Sequence, residues 1–194
     1  MRTLSKTSVG TLILVAALGT QLTACVPVVA GGAAAGGLVA ADRRSTGAYL
    51  EDQEIELKAE KAISDNLKEN VHANVTSYNR RVLITGEVSN EANKAKAESV
   101  VKPIQNVNRI NNQLVIGANS TISSRTNDTY ITSKVKTKFI SENKFAANLV
   151  KVVTENGTVF LMGMVTHKEG DDAGEIASKV SDVKKVVKDF EYID

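Results

Sequence analysis

The feature that most limits what this chain can fold into is a repeated eight-residue pattern. RVLITGEV at 81–88 and TVFLMGMV at 158–165 both read as buried β-strands with a glycine set inside them, and Gly86 and Gly163 are 77 residues apart. A glycine in a strand interior weakens the strand and leaves no side chain to pack, so it marks a bulge or the close approach of another backbone. Recurrence at one spacing points to a packing unit used twice, with a helix or a neighbouring backbone crossing the strand at both glycines.

Each pattern sits in the same order of elements. In the first copy, YLEDQEIELKAEKAISDNL at 49–67 places Ile55, Ala59, Ala62 and Ile63 on one helical face. ANVTSYNRRVLITGEV follows as two strands turned at Asn79 and Arg80, EANKAKAESVVKPI as a helix stopped by Pro103, and Val107, Ile110, Leu114 and Ile116 as a last strand. In the second copy a helix capped by Asn127 or Asp128 buries Ile131, Val135 and Phe139. LVKVVTENGTVFLMGMV is a hairpin with Asn156 and Gly157 at its turn, the strongest short hairpin signal. A helix from about His167 to Val180 and a strand through Val183, Val186, Phe190 and Tyr192 complete the copy. Beyond the glycine the offset falls to 76, since Val107 matches Val183 and Leu114 matches Phe190. The expected fold class is therefore α+β: two tandem αββαβ domains, each a small three-stranded mixed sheet packed with two helices. The first spans 48–117 and the second 127–194, with ANSTISSRT supplying a polar linker at 118–126.

Ahead of the repeats lie two short segments. Residues 1–24 carry Arg2 and Lys6, an apolar run at 9–18 and then small residues, the layout of a secretory signal and too short for a membrane span. The signal ends at LTAC, which resembles the lipobox of bacterial lipoproteins, and Cys25 is the only cysteine. One exported cysteine makes no internal disulfide, which leaves lipidation, a free thiol or an intermolecular bridge. An acylated Cys25 would hold the chain firmly, because each buried methylene contributes ~0.8 kcal/mol. Cleavage before Cys25 removes Arg2 and Lys6 from 24 basic and 22 acidic side chains, leaving the mature chain neutral. Residue 26 is valine, not the aspartate typical of lipoproteins kept at the inner membrane, so the lipobox resemblance implies the periplasmic face of the outer membrane. Residues 25–47 form a tether, whose Gly/Ala-rich part is either a plain surface tether or a close-packing glycine zipper.

The element order, with VLITGEV and VFLMGMV at the second strand of each copy and NDTYITSKVKTKF and VVTENGTVFLMG in the second copy, is similar to the BON domain of bacterial envelope proteins. Two copies behind a lipobox resemble the dual BON-domain lipoproteins of that family. The first turn departs from the pattern at Asn79 and Arg80, which lack the usual glycine, and Tyr130 stands where tryptophan is expected.

Signs of catalysis are few. His72 and His167 fall at different places in their repeats, without a cysteine or second histidine at metal-ligand spacing, and read as solvated loop residues. No GxSxG motif or phosphate loop is present. Asp171 and Asp172 sit where a helix dipole favours carboxylates. The chain reads as non-enzymatic, without a cofactor or metal. Balanced charge, the absence of tryptophan and export argue against nucleic acid as a partner.

Binding function is best sought where the copies diverge. Residues 51–70 hold seven acidic and three basic side chains, whereas residues 128–144 hold two acidic and four basic. On the second of these helices Tyr130, Ser133, Thr137 and Ile140 point away from the core, flanked by Lys134 and Lys136. Such a face is read most simply as packing against the other repeat, with lysines on a solvated side, and it also suits a membrane interface. The family resemblance implies the former: binding of anionic phospholipid, phosphatidylglycerol in particular, at the inner leaflet of the outer membrane. It also implies support of outer-membrane integrity, concentration at the division site and a link to the outer-membrane protein assembly machinery. The alternative reading is a periplasmic scaffold whose helix engages an envelope protein.

Overall fold

The computed structural model describes residues 42–67 and 71–194; the signal segment 1–24, Cys25 and the tether as far as residue 41 lie outside the described residues. Helix α1 (Thr46–Asn66) begins at Ser45, whose hydroxyl accepts the Ala48 N–H at 3.1 Å. It turns Ile55, Ala59 and Ile63 inward at four-residue spacing. Strands β1 (His72–Tyr78) and β2 (Arg81–Val88) form an antiparallel hairpin. Helix α2 (Glu91–Val101) ends just ahead of Pro103, and β3 (Arg109–Asn112) and β4 (Val115–Ile116) both run parallel to β2. The second half follows with α3 (Ile122–Glu142), a 3-10 turn (Ala147–Leu149), β5 (Lys151–Glu155), β6 (Thr158–Val165), α4 (His167–Ser178) and β7 (Lys185–Tyr192). Its sheet has the order β5-β6-β7, with the glycine-bearing strand central as in the first sheet. Val82 pairs with Ile110 and Val159 with Val186, so the step in offset from 77 to 76 is written into the registers.

Three local expectations are corrected. Residues 122–126 are helical, because Thr121, not Asn127 or Asp128, caps α3 by accepting the Ser124 N–H at 3.1 Å. α1 likewise starts inside the expected tether, at Thr46. The last strand of the first half breaks at Gln113 and Leu114: the Asn112 side chain accepts from Leu114 N–H and the fully buried Leu114 turns into the core.

Asp128 has a different task. Its carboxylate accepts the backbone N–H groups of Asn156 and Gly157 at 2.9 and 2.8 Å, closing the β5–β6 turn. Asp52, 76 residues earlier, accepts from Asn79 and Arg80 N–H and from the Ser77 hydroxyl, all at 2.7 Å, and pairs with Arg44 at 2.8 Å. Both turns have positive φ at their two central residues, 50° and 64° at Asn79 and Arg80, 50° and 76° at Asn156 and Gly157. This is the type I′ geometry that matches strand twist. Arg80 adopts it against its own steric preference because the buried Asp52 fastens the turn.

The glycines mark a close backbone crossing in both halves. A Cβ at Gly86 would lie 1.9 Å from the His72 carbonyl oxygen, and one at Gly163 would lie 2.4 Å from that of Leu149, the matching position. Gly86 also has φ +119°, a conformation that L side chains rarely adopt.

Each half buries its own core between sheet and helices, around Ile55, Ile84 and Val101 in one and Ile131, Phe139 and Leu161 in the other. The sheet faces turned away from the helices meet. There Tyr78 and Leu83 pack with Phe160 and Met162, bordered by Val153, Met164 and Val187. Burial of such side chains contributes on the order of 2 kcal/mol each. Polar links cross the same seam: Arg81 to Asp189 at 3.0 Å, Asn79 to Glu191 at 2.8 Å and Lys151 to Glu56 at 2.8 Å. Arg43 holds Glu169 through two bonds of 2.7 and 2.9 Å.

Candidate functional site

Helix α3 buries Ile131, Val135 and Phe139 and turns the opposite face to solvent. On that face Tyr130 and Ile140 are 60% and 69% exposed, about three helical turns apart. Ser133 and Thr137 lie between them, but their hydroxyls donate back to the Thr129 and Ser133 carbonyls, so the stripe offers little free hydrogen bonding. Lys134 leans across the Tyr130 ring at 4.9 Å and its ammonium also reaches Ser181 and, at 2.9 Å, Asp182. Asp182 titrates below its ordinary range because of that ammonium. Lys136 and Lys138 are exposed and take no acidic partner among the described residues. Beside the stripe a cleft of about 680 Å³ opens between α3 and the end of α4, lined by Lys134, Lys138 and Lys179 together with Tyr130 and Val180. An aromatic ring, an isoleucine and the ammonium groups of Lys136 and Lys138, which take no acidic partner among the described residues, thus share the outer side of α3.

A second constellation lies at the edge of the seam. His72 and Glu87 are directly opposed across β1 and β2, with Nδ1 and Oε2 2.9 Å apart. Glu87 also accepts from Ser120 N–H at 3.0 Å and from the Asn156 amide of the other half. Burial raises the Glu87 carboxyl, yet the bonds from Ser120, His72 and Asn156 outweigh it and hold the group below its usual range. Glu155 comes from the end of β5 and accepts from Asn74 at 3.0 Å. Burial pushes its carboxyl up, and the charges of Glu87 and Asp128 push the same way against the Asn74 bond.

His72 is therefore not a solvated loop residue: β1 carries it, half-buried, into this cluster. A hairpin turning at Asn79 and Arg80 places residue 72 opposite residue 87, so half of the cluster follows from strand register alone. Glu155, 83 residues from His72, has no such signal. His167 is exposed at the start of α4, paired with Asp194 at 2.7 Å. Asp171 and Asp172 take separate lysines, Lys188 and Lys168. Among the described residues no helix is long and apolar enough to cross a membrane.

Residues 51–118 and 127–194 each match the BON domain. The chain is 39% identical over 175 residues to the outer membrane lipoprotein DolP of Haemophilus influenzae, covering 89% of this chain and 91% of that protein. It is 32% identical over 154 residues to the 21 kDa hemolysin of Actinobacillus pleuropneumoniae, with 78% and 79% covered. To osmotically-inducible protein Y of Escherichia coli it is 28% identical over 161 residues, with 80% of each covered. None of these three names denotes an enzyme.

Proposed function

We propose, from the premise that this chain belongs to the BON-domain family and carries the domain twice, that it is a non-enzymatic outer-membrane lipoprotein that docks on anionic phospholipid through α3. Its anchor is acylated Cys25, its domains face the periplasm, and phosphatidylglycerol is the preferred headgroup. Docking there supports the integrity of the envelope, including at the division site.

The observation that carries this reading is the outer face of α3, where exposed Tyr130 and Ile140 are bordered by Lys136 and Lys138. A tyrosine ring suits the headgroup layer, an isoleucine the acyl boundary, and each lysine near an anionic surface contributes ~1 kcal/mol. Lys134 contributes less because Asp182 already neutralises it. So small a patch binds weakly and reversibly alone; behind a lipid anchor it has only to orient the domains.

The test is sedimentation of a 42–194 fragment with phosphatidylcholine vesicles, with and without phosphatidylglycerol. The expected result is binding to the anionic vesicles only, weakened by salt, and reduced several-fold by Tyr130→Ser, Ile140→Ser and Lys136→Glu. Leu57→Ser on α1, exposed to a similar degree, should change nothing. Failure to bind any vesicle would refute docking and favour a scaffold whose α3 engages an envelope protein such as the assembly machinery.

A further inference from the structure

We propose that His72, Glu87 and Glu155 form a divalent metal site, with zinc its preferred occupant, that staples the two BON domains together. One ring nitrogen of His72 and one carboxylate oxygen from each glutamate lie within 4.8 Å of one another. Donors bound at 2.0–2.1 Å in a tetrahedral zinc site are roughly 3.3 Å apart. Closing that gap requires side-chain rotation on metal binding. Two of the ligands are already placed by strand register, since His72 faces Glu87 across the β1–β2 ladder. The third arrives from the other domain.

Charge and burial identify the class of ligand. Glu87 and Glu155 are only 2% and 8% exposed and approach one another from separate domains. Glu155 uses one oxygen on Asn74, while its other takes no hydrogen bond from a described residue. Two carboxylates sharing a buried corner are costly unless a cation sits between them. The cationic side chains lining the adjoining cleft do not meet that need: Arg125 is spent on Ser120, and Lys136 makes no ion pair with either glutamate. Asp128 adds a third carboxylate to the cleft, committed to the β5–β6 turn. A metal would take the place of the hydrogen bond between His72 and Glu87, and it would bring two positive charges.

The supporting groups resemble an outer shell. Ser120 N–H and the Asn156 amide fix the Glu87 carboxylate, and Asn74 fixes Glu155. The cleft of about 540 Å³ beside His72 and Glu155 supplies an entry path and room for a water at the fourth position. A histidine among the ligands selects a transition ion such as Zn²⁺ over Mg²⁺ or Ca²⁺, which prefer all-oxygen shells. The matching positions of the second domain are Leu149 and Met164, so the site belongs to the seam and not to the domain as such.

The experiment is titration of the full-length chain in detergent with ZnCl₂ against a chromophoric chelator, with MgCl₂ and CaCl₂ in parallel. The expected result is one zinc per chain, no response to magnesium or calcium, and a rise in Tm on zinc addition. His72→Ala and Glu155→Gln should each weaken zinc binding at least 10-fold and abolish the Tm rise. Glu155→Gln keeps size and the acceptor for Asn74, so it tests the ligand without emptying the seam. His167→Ala, at the other histidine, should leave affinity unchanged. Zinc that fails to bind stoichiometrically, or that binds both seam variants as tightly as the natural chain, would overturn the site.

Discussion

Helices α1 and α3 occupy the same place in their domains yet meet solvent differently. Matched at an offset of 76, the buried positions agree: Asp52 with Asp128, Ile55 with Ile131, Ala59 with Val135 and Ile63 with Phe139. The exposed positions do not. Glu54 stands where α3 has Tyr130, Glu60 where it has Lys136, and Ser64 where it has Ile140. α1 also exposes large apolar groups, with Leu57 70% accessible, so apolar exposure alone does not separate the two. Charge does: α1 would be repelled by an anionic surface at the distance where α3 is attracted. The lesson is that the duplicated fold constrains one face of each helix and leaves the other free to specialise.

Substitutions in matched pairs probe how far the duplication extends. The largest effect should come from the two strand glycines, measured by urea unfolding at constant slope. Gly86→Ala should cost about 3–5 kcal/mol, combining overpacking against the His72 carbonyl with a positive φ. Gly163→Ala meets the Leu149 carbonyl without the φ penalty and should cost about 1–3 kcal/mol. Equal losses would mean that the backbone conformation at Gly86 carries no energy of its own.

The turn clamps come next. Asp52→Ala leaves two turn N–H groups and the Ser77 hydroxyl without their acceptor and takes one of two carboxylates from the Arg44 guanidinium, which keeps Asp42, and should cost about 3–5 kcal/mol. Asp128→Ala leaves two N–H groups and should cost about 1–3 kcal/mol. Loss of the same stability in both would show that the arginine adds nothing to the first clamp.

The smallest effect is at the turns themselves. Arg80→Gly should stabilise the first hairpin by about 1 kcal/mol, relieving a left-handed residue at the expense of an exposed pair with Glu51. Gly157→Ala should destabilise the second by about 1–2 kcal/mol. A thermal melt that moves the same way for both would break the equivalence of the two turns.

Much of this was legible in one dimension. Helical stripes, strand glycines, the Asn-Gly turn and the opposite charges of the two first helices are local patterns, and periodicity records which residues of a segment are buried. The start of α3 was misread because Asp128 looks like a cap: its type suits both roles, and only the turn folded beneath it shows that the carboxylate points inward. The first turn looked anomalous for a related reason, since what tolerates Arg80 is Asp52, 28 residues away.

Local pattern along the chain specifies a unit and its repetition: two αββαβ domains, each with a backbone crossing at its glycine, and one basic, partly apolar helix face. Tertiary structure alone decided that the two sheets pack back to back through Leu83 and Phe160, and that Arg43 reaches Glu169. It also decided that His72 and Glu87 of one domain meet Glu155 of the other. The physical reason is that an uninterrupted apolar run along a strand shows that both faces are buried, but the partner of the second face is chosen by shape and charge between segments far apart in the chain.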